Sequence, residues 1–327
     1  MSHETTALLN DSVLETAARP FDVDCKNLQD LGGNVNFVYA CEKDAKPCIL
    51  RLTHDSRRKL PDFQAEAHFV NYLAENGASV SRVIPARDGS LAVQAENGFS
   101  AVLFEKAPGR LLPFQDWTPE FYVAWGEMMG RFHALARTYT PDPQFKRNAW
   151  HEEEWLQVDT FIPATETLVL QKAHQLLNDL HRMPTSADSY GLVHNDLHAR
   201  NFLMTDDGKL TAFDFDDCCY NWFAGDIANV LYYAVGRLSR PPGRGAGERE
   251  FMQHFLTYFL EGYRTQNEPD DSWWAVMPHF LKLRRVLLYV YYHKELDMAN
   301  LSPEMAGVVE RTRRDIEEDF PITSFCF

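Results

Sequence analysis

The stretch from Tyr190 to Asp226, YGLVHNDLHARNFLMTDDGKLTAFDFDDCCYNWFAGD, constrains this chain more than any other. Apolar Gly191-Leu192-Val193 leads into a polar cluster. A turn signal at Asp206-Asp207-Gly208 then separates that cluster from a second apolar run, which ends in further carboxylates. Closing this hairpin would bring the residues around Asp196 beside those around Asp214. The expectation is a single site with Asp196, Asn201 and Asp214 facing a common point.

These residue types suit phosphoryl transfer, in which one carboxylate orients a substrate hydroxyl while an amide oxygen and a second carboxylate hold magnesium on nucleotide phosphates. Asp196 and Asn201, five apart on a tight loop, would look at the nucleophile and the metal respectively. The segment His194-Asn195-Asp196-Leu197-His198-Ala199-Arg200-Asn201, followed by Phe213-Asp214-Phe215-Asp216, resembles the aminoglycoside phosphotransferase and choline kinase superfamily. That superfamily carries H-x-D-x-x-x-x-N and then a metal-binding Asp. Trp222 to Asp226 fits its later aromatic-x-x-x-Asp element. The resemblance implies a two-lobed, protein-kinase-like α+β fold and an ATP- and Mg2+-dependent kinase acting on a small-molecule hydroxyl. It also implies that Asp196, Asn201 and Asp214 are catalytic, that Asn201 and Asp214 hold the metal, and that His194 and Asp226 support the catalytic loop.

Other readings of the same residues exist. His194 and His198, four apart, could share a zinc ion, although no second histidine cluster supplies further ligands. Asp216 could join a second magnesium, meet a cationic acceptor or sit in a solvated turn. Asn195 stands where the family commonly has Gly, which bears on local loop geometry.

A chain of 327 residues with 45% hydrophobic and 24% charged residues can bury a sizeable core and fits two lobes. Its net charge of −15 argues against a nucleic-acid partner, whose affinity rests on excess Lys and Arg. It mildly favours a cationic acceptor. Six cysteines without framework spacing, no leader and no long apolar run point to a cytoplasmic protein with no membrane partner. The adjacent Cys218 and Cys219 read as buried thiols ahead of a redox or metal pair.

Residues 1–20 read as a polar extension with one short helix near Ser12 to Ala18. From Cys25, apolar strands flank Gly32-Gly33-Asn34, which the resemblance makes the nucleotide-covering loop. Pro47 to Leu52 alternates like a strand and carries Arg51 where the family has a phosphate-gripping Lys. Arg keeps the charge and changes the geometry, and Glu66 on the helix from Asp62 to Glu75 is its candidate partner. Hairpin signals at Asp88-Gly89 and Asn97-Gly98 complete a small antiparallel lobe with one helix, taken as residues 1–104. At Phe104 to Gly109 the chain crosses between lobes, where the backbone of Glu105 and Ala107 could meet the adenine edge.

Residues 105–327 form the expected catalytic and substrate-binding helical lobe. Thr118-Pro119 opens a helix with an apolar face of Trp125, Met128, Met129, Phe132 and Leu135. Glu152, Glu153 and Glu154 suit a helix start better than a cation site. Further helices are expected at Leu168–His181, Ile227–Leu238, Phe251–Tyr263, Trp273–Leu296 and Pro303–Asp319, with a mobile loop over Pro241–Gly247. Some of Tyr263, Trp273, Trp274, Tyr289, Tyr291, Tyr292 and His293 would wall the acceptor pocket, and most would be core. A cationic amino alcohol or a hydroxy amino acid is the favoured acceptor, with an aminoglycoside also open. Two rival functions remain: a catalytically weak nucleotide-binding regulator and a protein Ser/Thr kinase. The interval from Asp214 to Asp226 is too short for a kinase activation segment.

Overall fold

The structure is a computed structural model that describes residues 3–33, 35–243 and 245–322. Its strands, in chain order, are β1 (Gln29–Gly32), β2 (Phe37–Lys43), β3 (Lys46–His54), β4 (Val83–Ile84), β5 (Val93–Gln94), β6 (Phe99–Glu105), β7 (Tyr190–Val193), β8 (Phe202–Met204), β9 (Leu210–Ala212) and β10 (Cys219–Trp222). Its helices are α1 (His3–Leu8), α2 (Asp11–Ala18), α3 (Leu60–Glu75), α4 (Pro119–Ala136), α5 (Val158–Phe161), α6 (Thr167–His181), α7 (Phe223–Val235), α8 (Glu248–Arg264), α9 (Ser272–Glu295) and α10 (Pro303–Glu317). The chain falls into two compact units. One comprises Met1–Arg110, Tyr139–Arg147 and Phe202–Asp216, and the other Leu111–Thr138, Asn148–Asn201 and Asp217–Phe327.

The first unit is built on an antiparallel sheet in the order β1-β2-β3-β6-β4, with β5 also paired to β6. Strands β2 and β3 meet through Asp44 and Ala45, both at positive φ, as a two-residue hairpin turn requires. The period of two in β3 decides what each face does. Cys48, Leu50 and Leu52 join Phe37, Tyr39, Phe99, Ala101 and Leu103 in an apolar core, while Arg51 lies on the alternate positions. That core is covered by residues expected to be a loose extension. Val13, Ala17 and Ala18 of α2 and the following Phe21 are fully buried in it, and the Asn10 side chain caps α2 by accepting the Val13 N–H. The β unit therefore carries α1 besides the two expected helices, α2 near Ser12 to Ala18 and α3. The hairpin β8-β9 belongs to the same unit and turns at Gly208, φ 83°.

The second unit is mainly helical. Thr118 caps α4 through its hydroxyl, as the sequence pattern anticipates, and α4 packs closely on α8 through glycines. Helix α7 is buried almost throughout, and β7 pairs antiparallel with β10 beside it. In the Gly/Pro-rich loop before α8, expected to be mobile, Pro242 and Gly243 are hydrogen-bonded to α9 and α8. The Pro242 carbonyl accepts from buried Arg285 and the Gly243 N–H donates to Glu248. Among the described residues no helix is long and apolar enough to cross a membrane.

Candidate active site

Within the β unit, Arg51 projects from the middle of β3 toward α3. Its two terminal nitrogens donate to the two Glu66 oxygens at 2.9 and 2.5 Å, a bidentate pairing that a Lys could not make. Both side chains are buried, and the guanidinium lies over the rings of Phe63 and Phe104. Burial alone would lower the Arg51 pKa. Glu66, with Asp216 and Asp214 further off, reverses this and holds the guanidinium firmly charged. Asp214 Oδ1 lies 3.6 Å from Arg51 Nη1, and the Asp214 side chain is 45% exposed. Its φ of 63° places it in the left-handed region, which Asp tolerates better than most residues.

Asp216 does not sit in the solvated turn that was one of the readings its sequence left open. It is buried, and its Oδ2 accepts from Arg57 at 2.7 and 3.0 Å. Its carbonyl accepts from Arg147 at 2.7 Å, and the same guanidinium reaches the Asp62 carbonyl at the start of α3. Burial would raise the Asp216 pKa, yet Arg57, Arg51 and Arg58 outweigh it and hold the carboxyl well below its usual range. Asp216 thus anchors the loop that carries Asp214.

In the glycine loop, the Gly32 N–H donates to Asp30 Oδ1 at 2.7 Å. A Cβ on Gly33 would fall 2.1 Å from the Asn36 carbonyl oxygen, so only glycine fits that close approach. Asn34 lies outside the described residues. At the end of β6, the Glu105 N–H is taken by the Arg82 carbonyl and the Lys106 N–H by the Pro47 carbonyl. Any main-chain contact from this hinge is therefore left to the Glu105 C=O and the Ala107 N–H. Two residues on, Gly109 packs against the Met204 backbone, and Arg110 bonds Met204 in both directions.

Within the helical unit, the loop after β7 is held from several sides. Asn195 sits at φ 64°, a conformation that explains why glycine is common there and that Asn accepts readily. Its N–H donates to Asp226 Oδ1 at 2.9 Å, its carbonyl accepts from Asn229 at 2.7 Å, and its side chain accepts from Asn221. His194 is buried, and its Nδ1 accepts the Asp196 N–H at 3.3 Å. Asn201 donates through Nδ2 to the Asp196 carbonyl at 2.9 Å, while its Oδ1 has no protein partner among the described residues. An oxygen ligand of this kind suits a hard divalent cation, as does the carboxylate of Asp214. The zinc reading of His194 and His198 gains no further ligands: no group of three or more His, Cys, Asp or Glu suited to a metal occurs among the described residues.

Asp196 itself touches side chains that no local pattern announces. Its Oδ1 accepts from Arg284 Nη2 of α9 at 2.9 Å, and its Oδ2 lies 3.5 Å from His198 Nε2. Arg284 stacks on the Tyr233 ring of α7 and donates to the Tyr233 hydroxyl. Burial raises the Asp196 pKa above the ordinary aspartate value, and Arg284 and His198 work against that rise. Asp226 is fixed in turn by His133 Nε2 at 3.1 Å. His133 Nδ1 lies 2.8 Å from the Tyr263 hydroxyl, which accepts from Asn267. Several of the aromatics named in the sequence lie in the core, as was expected of most of them. Tyr263 belongs to this buried relay, Trp273 is core, and the Tyr289 hydroxyl donates to Glu166. The aromatic beside Asp196 is Tyr233.

Residues 27–267 match the family model described as the phosphotransferase enzyme family. The chain is 38% identical over 322 residues to an amicoumacin kinase of Bacillus subtilis (strain 168), covering 97% of this chain and 95% of that protein. Among solved structures it resembles amicoumacin kinase hAmiN in complex with AMP-PNP, Ca2+ and Ami, at TM-score 0.92 and 36% identity over 99% of this chain and 98% of that one. A microcompartment-associated aminopropanol kinase shares the fold, at TM-score 0.73 and 23% identity over 94% and 95% of the two chains. The α+β architecture is accordingly kinase-like, and the non-catalytic regulator and protein-kinase readings give way to an enzyme that acts on small molecules. The chain belongs to the phosphotransferase enzyme family and is a small-molecule phosphotransferase.

Proposed function

We propose that this enzyme transfers the γ-phosphoryl group of ATP to a hydroxyl of a small molecule, and that the first acceptor to test is amicoumacin. The observation that carries the reading is the near full-length likeness to amicoumacin kinases, beside the motif that holds Asp196, Asn201 and Asp214 in this chain. Amicoumacin is thereby placed ahead of the amino alcohol that composition had favoured.

Asp196 orients the acceptor hydroxyl and receives its proton as the oxygen attacks. The carboxylate suits this task because its loop is fixed by Asp226, Asn229 and Asn221, so little reorganisation accompanies reaction. Asn201 Oδ1 and the Asp214 carboxylate would each offer an oxygen ligand to a divalent cation such as Mg2+, which when bound would neutralise charge on the nucleotide phosphates. Arg51, held flat by Glu66, offers a fixed positive charge to the phosphates, and the Glu105 C=O and Ala107 N–H offer a donor–acceptor pair to the adenine edge.

The test measures phosphorylation of amicoumacin by mass with ATP and Mg2+, for the wild type, Asp196→Ala and Asp214→Ala. Asp196→Ala should lower kcat by roughly 10²- to 10⁴-fold with nucleotide affinity nearly intact, since general-base work is what it removes. Asp214→Ala should weaken metal-dependent nucleotide binding measured by calorimetry. Amicoumacin left unmodified while homoserine or an amino alcohol is phosphorylated would refute the choice of acceptor.

A further inference from the structure

The geometry points to Arg284 as the residue that reads the acceptor: it would bind a carbonyl oxygen on the carbon next to the reacting hydroxyl. The preferred acceptors are then hydroxy amides or hydroxy acids, and an alcohol with an ammonium at that position is disfavoured. This inference rests on the assignment of Asp196 as the group that receives the hydroxyl proton.

Arg284 and Asp196 are both largely buried, with side chains 15% and 18% exposed. Nη2 is fully used, donating to Asp196 Oδ1 and to the Tyr233 hydroxyl. The Tyr233 ring under the guanidinium, 4.7 Å from Cζ to centroid, fixes its plane. Nε is buried without a hydrogen-bond partner, and Nη1 has none among the described residues. An outer nitrogen with two unused N–H donors therefore lies beside the catalytic carboxylate, held there by stacking and by a charged hydrogen bond.

A hydroxyl that donates to Asp196 brings its neighbouring carbon up to that nitrogen. If this carbon bears a carbonyl, its oxygen accepts from Nη1 while the hydroxyl donates to Asp196, so the Arg284–Asp196 pair holds C=O and O–H together. If it bears a CH2–NH3+ group, two cations meet in a poorly solvated space and no acceptor reaches the guanidinium. His198, 3.5 Å from Asp196 Oδ2 on the carboxylate's other side, adds no acceptor of negative charge. Asp217 is the acidic group that also acts on Asp196 here, and the carboxylate of Asp196 already faces Arg284. The protein's overall negative charge thus does not set the polarity at this point.

The experiment compares lactamide with 1-amino-2-propanol, which differ in carrying C=O or CH2 beside the carbinol carbon, together with amicoumacin. Each is tested against the wild type, Arg284→Gln and Arg284→Lys. The wild type should phosphorylate lactamide more efficiently than the amine, by about 10- to 100-fold in kcat/KM, the range a charged hydrogen bond supplies. Arg284→Gln should abolish that ratio by raising the KM for lactamide, while the KM for ATP stays unchanged. Arg284→Lys keeps the charge and lacks the outer nitrogen, so it should retain only part of the preference, and it serves if the Gln variant misfolds.

If Arg284 only positions Asp196, both acceptors lose kcat equally and the ratio persists, which overturns the inference. It is overturned equally if the wild type prefers the amine, if Arg284→Gln accelerates both acceptors, or if neither small acceptor reacts while amicoumacin does. Failure to phosphorylate any acceptor, amicoumacin included, overturns instead the functional reading beneath it.

Discussion

Arg51 shows how much a single buried charge can carry. Its guanidinium is enclosed by Glu66, two aromatic rings and, at longer range, Asp214. Removing it strands Glu66 in the interior, whereas Lys keeps the charge and loses the bidentate geometry. Arg51→Ala should therefore lower stability by about 3–5 kcal/mol. Arg51→Lys should cost only about 1–2 kcal/mol, roughly one charge-assisted hydrogen bond. Urea unfolding of the two variants measures both, and equal, small losses would mean that the pair is not energetically buried. The motif proposed to be catalytic was readable at this scale because it is local: Asn201 follows Asp196 by five positions, and one loop presents both. Arg284 was unreadable because it reaches Asp196 from 88 residues away, on a helix whose run of Lys282-Leu283-Arg284-Arg285 gives no sign of which arginine turns inward to what. The surroundings of Asp216 were unreadable for the same reason, since Arg57, which donates to it, is 159 residues away in sequence.

At the level of elements, the helical unit depends on a close crossing of α4 and α8. A Cβ on Gly126 would fall 1.8 Å from the Phe259 carbonyl oxygen, and one on Gly262 would fall 1.9 Å from that of Val123. The obstacle in each case is backbone, so no rotamer change relieves it. Gly126→Ala and Gly262→Ala should each lower stability by about 3 kcal/mol, the upper end of overpacking in a core. Gly307 on α10 supplies the contrast, because a Cβ there meets only the flexible end of Arg311. Gly307→Ala should be neutral or stabilising by up to about 1 kcal/mol, from the smaller conformational entropy of Ala in the unfolded chain. Urea midpoints of the three variants decide this, and comparable effects for all would remove the crossing as the cause. The sequence marked helix ends well where chemistry is local, as at Thr118-Pro119 or Asn76-Gly77, and poorly where packing decides. Val13, Ala17 and Phe21 are spaced to face one side, yet only the sheet beneath them makes that face a core.

For the molecule as a whole, the pH dependence of stability follows from which groups are buried neutral. His68, His133, His198 and His293 all have pKa values below the ordinary imidazole value, in each case chiefly because burial disfavours the charged ring. For His133 the attraction of Asp226 opposes the shift without overcoming it. The unfolded chain takes up protons on these rings at about pH 6.5, where the folded chain does not. Stability is thus fully present above that pH and falls as pH drops from it toward the depressed folded values. Asp216 acts in the same sense at lower pH, because its folded pKa lies below the ordinary carboxyl value and its contribution is lost as acid protonates it. Asp196 acts in the opposite sense: burial raises its pKa, so ionising it within the fold costs stability as pH rises through the raised value. One carboxyl opposes four imidazoles, and the net expectation is a melting temperature that decreases steadily between pH 7 and 5. Calorimetry in two buffers of different ionisation enthalpy should record net proton uptake on unfolding in that interval. His68→Gln should reduce the uptake, because one of the four rings is then absent from both states. A melting temperature that stays level or rises from pH 7 to 5 would show that these histidines are charged in the fold, and that burial does not govern them.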